Sequence, residues 1–216
     1  MTFSPLRRIF LAALAAALGS LALPAVAAQP GIQLNAQQKE TVRKVEAYLN
    51  GITTLQSTFF QQSSTNEVAE GEIFLSRPGK LRIEYKPPAA ILIVAAGKYL
   101  SYLDKQINQV SHIPVEDTPA AFLLSAKIDL GPERVAYHEV VQEGGTIFLT
   151  VSDRRDAFAG RLTLVFRSQP LSLRKWSVTD AQGIITDIVL TDAFFGGTLD
   201  PKLFNTPEPA AEPSRE

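Results

Sequence analysis

The sequence predicts a mostly-β protein with a few helices, built as an antiparallel barrel or a strongly curved sheet. About eleven short segments carry strand patterns, and Gly-bearing turns separate several of them. Short strands at such regular spacing are typical of closed or curved antiparallel sheets. One amphipathic helix precedes the strands, which makes the class α+β. The predicted strands lie near residues 55–62, 67–76, 80–86, 89–95, 99–104, 106–112, 134–142, 146–151, 162–166, 170–179 and 184–190.

The overall composition excludes several functional classes. The 216 residues include 21 Lys and Arg against 22 Asp and Glu, so the chain lacks the basic character that nucleic-acid binding needs. No Cys is present, which excludes disulfides, thiolate metal sites, Cys nucleophiles and a lipid-anchored N-terminal Cys. A hydrophobic content of 45% is typical of a folded domain rather than a disordered chain.

The first 28 residues have the pattern of an export signal. Arg7 and Arg8 precede an uncharged apolar run from Ile9 to Leu23, and small residues follow it as a cleavage site. A membrane anchor is the alternative, but the run is shorter than the ~20 apolar residues of a spanning helix. We therefore predict a cleaved signal peptide over 1–28 and a periplasmic mature protein.

The leading helix is predicted from an apolar stripe and from its end signals. Asn35 and Gln38 have the spacing of a capping box, and Gly51 is a plausible end of the helix. A helix with one apolar side must lie on an apolar surface. The stripe repeats at three- and four-residue steps through Val42, Val45, Leu49 and Ile52.

Two shorter helical segments and a tail complete the predicted organisation. Thr118 to Leu124 has the pattern of a short helix, with Thr118 as N-cap and Pro119 in the first turn. Asp200 to Phe204 is predicted as a second helical turn. Residues 205–216 hold three Pro and three Glu without apolar periodicity, so we expect a flexible tail. We predict a single domain over 29–204.

Catalytic patterns are not found in the sequence. His112 and His138 both fall in predicted strands, where solvent-facing positions are the simpler interpretation. The sequence contains no metal-ligand spacing, no phosphate-binding Gly loop and no nucleophile elbow. These observations favour a binding protein over an enzyme and predict neither a cofactor nor a metal.

The most distinctive segment runs from Gly71 to Tyr102. A Gly-x-hydrophobic strand leads into the hairpin turn Arg77-Pro78-Gly79-Lys80, and an apolar strand then ends at Tyr85 before two prolines. Together with the leading helix, the Phe59-Phe60-Gln61-Gln62 strand and the Pro-Lys-Leu-Phe close at 201–204, this order resembles the LolA family of periplasmic outer-membrane lipoprotein carrier proteins.

The resemblance implies a fold and a function. The family fold is an incomplete antiparallel β-barrel of about eleven strands, with helices as a lid over an apolar cavity. The cavity takes the acyl chains of lipoproteins, which an inner-membrane ABC transporter releases and an outer-membrane receptor accepts. We expect a monomeric chaperone that binds no nucleic acid.

The resemblance also implies site residues. The family's turn arginine corresponds to Arg77 and closes the lid in the cargo-free form, a role that suits the five donors of Arg and the open carbonyls of helix ends. Relatives often carry aromatic residues where this chain has two aliphatic ones, at Leu81 and Ile83. The implied acyl-chain cavity is lined by Leu81, Ile83, Tyr85, Ile91, Ile93, Phe122, Leu123 and Leu124.

Two alternative functions stay open at this point. A carrier of another lipid, such as a glycolipid or a phospholipid, would need the same apolar cavity. A lipid-sensing regulatory module could use the same fold and work by protein contact, although such modules usually carry an added domain.

Overall fold

The computed structural model describes residues 31–118, 120–155 and 160–207. The signal peptide predicted over 1–28 and residues 208–216 of the predicted tail lie outside the described residues. Within them, helix α1 spans Ala36–Gly51 and helix α2 spans Ala120–Leu124. Short 3₁₀ turns span Val115–Asp117 and Pro201–Phe204.

Eleven strands form one open antiparallel sheet, which confirms the predicted mostly-β class. The strand order is β6-β5-β4-β3-β2-β1-β11-β10-β9-β8-β7, so β6 and β7 are its two edges. The strands are β1 (Thr54–Ser63), β2 (Val68–Ser76), β3 (Lys80–Tyr85), β4 (Ile91–Ala96), β5 (Tyr99–Asp104), β6 (Gln109–Pro114), β7 (Val135–Glu143), β8 (Thr146–Asp153), β9 (Arg161–Ser168), β10 (Leu171–Thr179) and β11 (Ile185–Phe195).

The start of α1 is the predicted capping box. The Asn35 amide donates to Gln38 Oε1 at 3.0 Å, and the Gln38 amide donates to Asn35 Oδ1 at 2.9 Å. The prediction of Thr118 as N-cap of α2 is wrong. Its hydroxyl donates backwards to the Val115 carbonyl at 2.8 Å, because a 3₁₀ turn directly precedes α2 and offers that acceptor.

The chain divides into two compact units. The first comprises the described parts of 1–46, 62–68 and 129–188, and the second comprises 47–61, 69–128 and the described part of 189–216. In the first unit, the beginning of α1 lies against β7, where Gln38 Nε2 donates to the Val140 carbonyl at 3.0 Å.

The second unit contains a meander of strands, β2 to β5, whose two faces differ in chemistry. Strand register places Ile73, Ile83, Ile93 and Tyr102 in one row across the sheet. Residues opposite each other in antiparallel strands share a face. We call this side the apolar face, formed by Ile73, Leu75, Leu81, Ile83, Tyr85, Ile91, Ile93, Ala95, Leu100 and Tyr102.

The opposite face of the meander carries a small apolar cluster and an ion network. Leu92, Val94 and Leu103 are buried there, with Val110 packed against them. Glu84 accepts from Arg82 Nη2 at 2.5 Å and from Lys105 Nζ at 2.6 Å.

The C-terminal 3₁₀ turn, Pro201–Phe204, is bonded to this opposite face. Arg82 Nη1 donates to the Leu203 carbonyl at 3.2 Å. Lys80 Nζ lies 6.0 Å from the centre of the Phe204 ring. Asp200 caps the turn by accepting from the Lys202 amide at 2.9 Å, and the predicted helical turn at 200–204 is confirmed as 3₁₀.

Acidification should weaken the folded state through Glu84. The hydrogen bond from Lys105 holds the pKa of Glu84 below its usual value, against partial burial, and Arg82 lowers it further. A carboxyl group whose pKa is lower in the folded than in the unfolded state stabilises the fold at pH values above the unfolded-state pKa. This contribution is lost as the pH falls through the folded-state pKa. Between about pH 6 and about pH 3, the urea midpoint of the wild type should therefore fall by more than that of Glu84→Gln. Equal falls in the two proteins would contradict this.

Candidate functional site

The hairpin turn between β2 and β3 touches the ends of both helices. The Arg77 amide donates to the Thr53 carbonyl at 2.7 Å, two residues after α1 ends. The Gly79 amide donates to the Leu124 carbonyl, the last residue of α2, at 3.0 Å. Gly79 has φ of +80°, a conformation that favours glycine. The backbone of the turn thus joins both helix ends before any side chain is considered.

The Arg77 side chain adds four hydrogen bonds to the same region, all to backbone carbonyls. Nη1 donates to Leu49 at 2.6 Å and to Ile52 at 3.2 Å, at the end of α1. Nε and Nη2 donate to Ser125, just after α2, at 3.1 and 2.8 Å. The last carbonyls of a helix lack intrahelical donors and form the negative end of its dipole, so a cation is a fitting partner. Burial lowers the pKa of Arg77, but the guanidinium stays charged at neutral pH.

Asn50, near the end of α1, makes a second connection that the sequence did not suggest. Its Nδ2 donates to the Ile128 carbonyl at 2.8 Å, and its Oδ1 accepts from the Ile128 amide at 2.8 Å. The Asn50 side chain therefore pairs with both the N–H and the C=O group of Ile128, as the backbone of a neighbouring β-strand does. Ile128 lies 78 positions further along the chain, so no local pattern could have identified this pair.

The structure brings the five predicted cavity residues on β3 and β4 together on the apolar face. Leu81, Tyr85, Ile91 and Ile93 are buried there, with Ile93 at 0% exposure, while Ile83 is half-buried. The three predicted residues on α2 lie in the same unit, with Leu124 buried and with Phe122 and Leu123 half-buried. The predicted residues thus occupy one sheet face and the short helix bonded to the hairpin turn.

A buried polar pair lies among the apolar residues of the second unit. Tyr85 donates its phenol proton to Gln61 Oε1 on β1 at 2.9 Å, and both side chains are buried. The Phe59 ring meets Tyr85 edge to face, with centroids 5.3 Å apart. Gly71 of β2 makes this possible, because a Cβ there would lie 2.7 Å from the Phe59 ring. Burial, with the nearby Tyr102 phenol, raises the pKa of Tyr85, so the phenol remains a neutral donor.

The histidines do not gather into a reactive group. His112 Nδ1 is 3.0 Å from Ser101 Oγ and His138 Nε2 is 2.8 Å from Ser152 Oγ, each across a pair of neighbouring strands. Over 31–118, 120–155 and 160–207, no three His, Cys, Asp or Glu side chains lie close enough to hold a metal ion. In the same ranges, no helix combines the length and the apolar character that membrane crossing requires.

A family sequence model and two curated relatives indicate one family for this chain. The sequence model of the family described as outer membrane lipoprotein carrier protein LolA matches residues 50–207. An outer-membrane lipoprotein carrier protein from Chromobacterium violaceum is 30% identical over 191 residues, which cover 84% of this chain and 90% of that protein. One from Legionella pneumophila is 30% identical over 177 residues, covering 76% and 84%. A crystal structure of an uncharacterized conserved protein from Thermus thermophilus has a TM-score of 0.49 at 15% identity, covering 79% of this chain and 94% of that one.

Loss of the Asn50 side chain should free the segment after α2. In Asn50→Ala, the Ile128 amide loses its acceptor and should exchange with solvent roughly three- to tenfold faster, since a net hydrogen bond contributes about 0.5–1.5 kcal/mol. Asn50→Asp keeps an Oδ1 acceptor and should retain most of the protection. Native-state hydrogen exchange at Ile128 measures both. Unchanged exchange in Asn50→Ala would mean that other contacts hold this segment.

Proposed function

The chain belongs to the LolA family of outer membrane lipoprotein carrier proteins, and we propose that it carries lipoproteins by sheltering their acyl chains in its second unit. The mature protein works in the periplasm as a monomer and by binding alone. It receives cargo from an inner-membrane ABC transporter and delivers it to an outer-membrane receptor, with residues 29–204 acting as one carrier domain. The observation that carries this proposal is Arg77, which bonds the ends of two helices next to the apolar face.

The apolar face supplies the holding energy in this proposal. Exposing an acyl chain to water costs ~0.8 kcal/mol per methylene, so ten methylenes cost on the order of 8 kcal/mol. The face is continuous across four strands and is built from aliphatic and tyrosyl side chains. Leu81, Ile83, Tyr85, Ile91 and Ile93 would contact the chain from the sheet, and Phe122, Leu123 and Leu124 would contact it from α2.

Arg77 supplies the release energy in the same proposal. In the cargo-free protein, the guanidinium makes four hydrogen bonds to three backbone carbonyls at and after the helix ends, and an entering chain would displace some of them. Hydrogen bonds to a charged donor contribute about 1.5–3 kcal/mol, and partial exposure reduces this. The closed form therefore competes with cargo by a few kcal/mol. Binding stays strong enough for transport and weak enough for delivery.

The identity of the bound lipid tests the cargo. The protein is purified from its native periplasm without detergent, and acyl species extracted from it are identified by mass spectrometry. We expect acylated peptides or whole lipoproteins at close to one per carrier. Phospholipid or glycolipid alone would point to a carrier of another lipid. Absence of bound lipid, with no uptake of lipoprotein from inner-membrane vesicles, would contradict the carrier proposal.

Removal of the Arg77 side chain tests the release step. Arg77→Leu should accept lipoprotein from inner-membrane vesicles normally but hold it about five- to 150-fold more tightly, the range that 1–3 kcal/mol spans. Release to outer-membrane vesicles should slow accordingly. Arg82→Leu is the matched control, because Arg82 is also half-buried in the second unit but lies on the opposite face. If Arg77→Leu releases cargo at the wild-type rate, Arg77 does not compete with cargo.

A further inference from the structure

Gln61 is an unusual side chain for the place it occupies. It lies on β1, two residues after Phe59, and only 5% of it is exposed. Amide side chains are mostly found at the protein surface, and burying one is costly unless its polar atoms are hydrogen-bonded. A buried amide side chain next to an apolar face should therefore have hydrogen-bond partners that offset the cost of its burial.

The oxygen of the Gln61 amide has a hydrogen-bond partner in Tyr85. The phenol donates to Oε1 at 2.9 Å, and this fixes the orientation of the amide plane. Phe59 packs edge to face on the Tyr85 ring and holds the phenol in place. Gly71 leaves the space that this contact requires. The result is an amide whose orientation is set by the Tyr85 phenol, which in turn packs on the Phe59 ring.

The other half of the amide carries two donors. An amide nitrogen has two N–H groups, and Gln61 Nε2 donates to no protein atom within the part of the chain that the structure describes. Nε2 is not among the fully buried side-chain atoms that lack a partner, so some of its surface stays accessible. A ligand that brings a carbonyl oxygen to Nε2 would meet a donor that no described protein atom engages.

The surroundings of Gln61 favour a neutral acceptor over an anion. No Lys, Arg or His is fully buried among the described residues. The buried Asp104 lies opposite Ile91 and therefore on the apolar face, where it adds a carboxylate that accepts from the Gln106 amide at 3.0 Å. A phosphate or free carboxylate would lose its hydration here without gaining a cation. An ester or amide carbonyl carries no such penalty.

We propose that Gln61, oriented by Tyr85, donates from Nε2 to the carbonyl oxygen that joins an acyl chain to its head group. This inference rests on the proposed function, because it assumes that acyl chains occupy the apolar face. The face then binds the hydrocarbon, and Gln61 distinguishes an acylated lipid from a plain hydrocarbon chain. Gln61 also sets how far the chain can slide, since the carbonyl fixes one point along it.

Two ligands of equal chain length separate these contributions. Methyl laurate has the carbonyl, and dodecyl methyl ether has a methylene in its place. Binding of each to the full-length mature protein is measured by displacement of an uncharged naphthylamine dye. The comparison uses wild type, Gln61→Met and Tyr85→Phe. Each ligand loses the same hydration energy when it enters any of the three proteins. A change in the ratio of ester to ether affinity between proteins therefore reports the contact with the ester carbonyl alone.

Gln61→Met should weaken ester binding by about three- to tenfold relative to ether binding, the range expected for one hydrogen bond. Tyr85→Phe keeps the Nε2 donor but loses the bond that orients it, so the ester's advantage should shrink by less than in Gln61→Met. Unchanged ether binding shows that each variant is folded with its apolar face intact.

Three results would overturn one or both proposals. Equal losses for the two ligands in Gln61→Met would contradict the inference and leave the carrier function standing. Loss of the ester's advantage in Tyr85→Phe but not in Gln61→Met would assign the donor to the phenol instead. If neither ligand displaces the dye from the wild type, the carrier function itself fails.

Discussion

Backbone carbonyls at the end of a helix need donors, and in the second unit one hairpin turn supplies them for two helices. The turn contributes two backbone amides, from Arg77 and Gly79, and four bonds from the Arg77 guanidinium. The backbone and the side chain act on the same two targets. Losing the side chain would remove the charged part of the connection, while the backbone bonds remain. A carrier benefits from this division, because the helices stay attached to the sheet while the strength of their closure changes.

The two faces of the meander follow from a single alternating strand. In β3, Leu81, Ile83 and Tyr85 point to the apolar face, while Arg82 and Glu84 point to the opposite one. Side chains of successive strand residues alternate between faces, so one segment serves both. The opposite face is held to residues 201–204 through Arg82, and the apolar face is left for hydrophobic packing. The charged residues of β3 are thereby kept off the surface on which an acyl chain would lie.

Much of the fold could be predicted because its signals are local. The capping box at Asn35 and Gln38 spans three residues, and strand alternation spans a few more. The Thr118 cap failed because the competing acceptor, the Val115 carbonyl, depends on a 3₁₀ turn that has no strong sequence signal. Arg77 was identified through the family resemblance, because no sequence pattern around a Pro-Gly turn indicates that helix ends lie beside it in the fold.

Two functional candidates were missed because their partners are far away in sequence. No sequence pattern separates Asn50 from other polar residues near a helix end, because its partner lies 78 positions away. Gln61 did carry a usable signal. It shares the strand face of Phe59, so a consistent alternation places an amide among buried side chains. Such a conflict between residue type and position is often the mark of a functional site.

The hydrophobic and polar contacts differ in the size of their contribution to the binding free energy. Burial of an acyl chain contributes on the order of 8 kcal/mol for ten methylenes. That term dominates affinity, but it scales with chain length alone and treats every hydrocarbon alike. The Arg77 bonds and one hydrogen bond from Gln61 are each worth about 1–3 kcal/mol or less. Contributions of this size are too small to hold the cargo. They are specific, however, because the Arg77 bonds stabilise only the closed form and the Gln61 bond stabilises only a ligand with a carbonyl. In the proposed carrier, selectivity and release would therefore depend on the few polar groups, while the apolar face would supply most of the affinity.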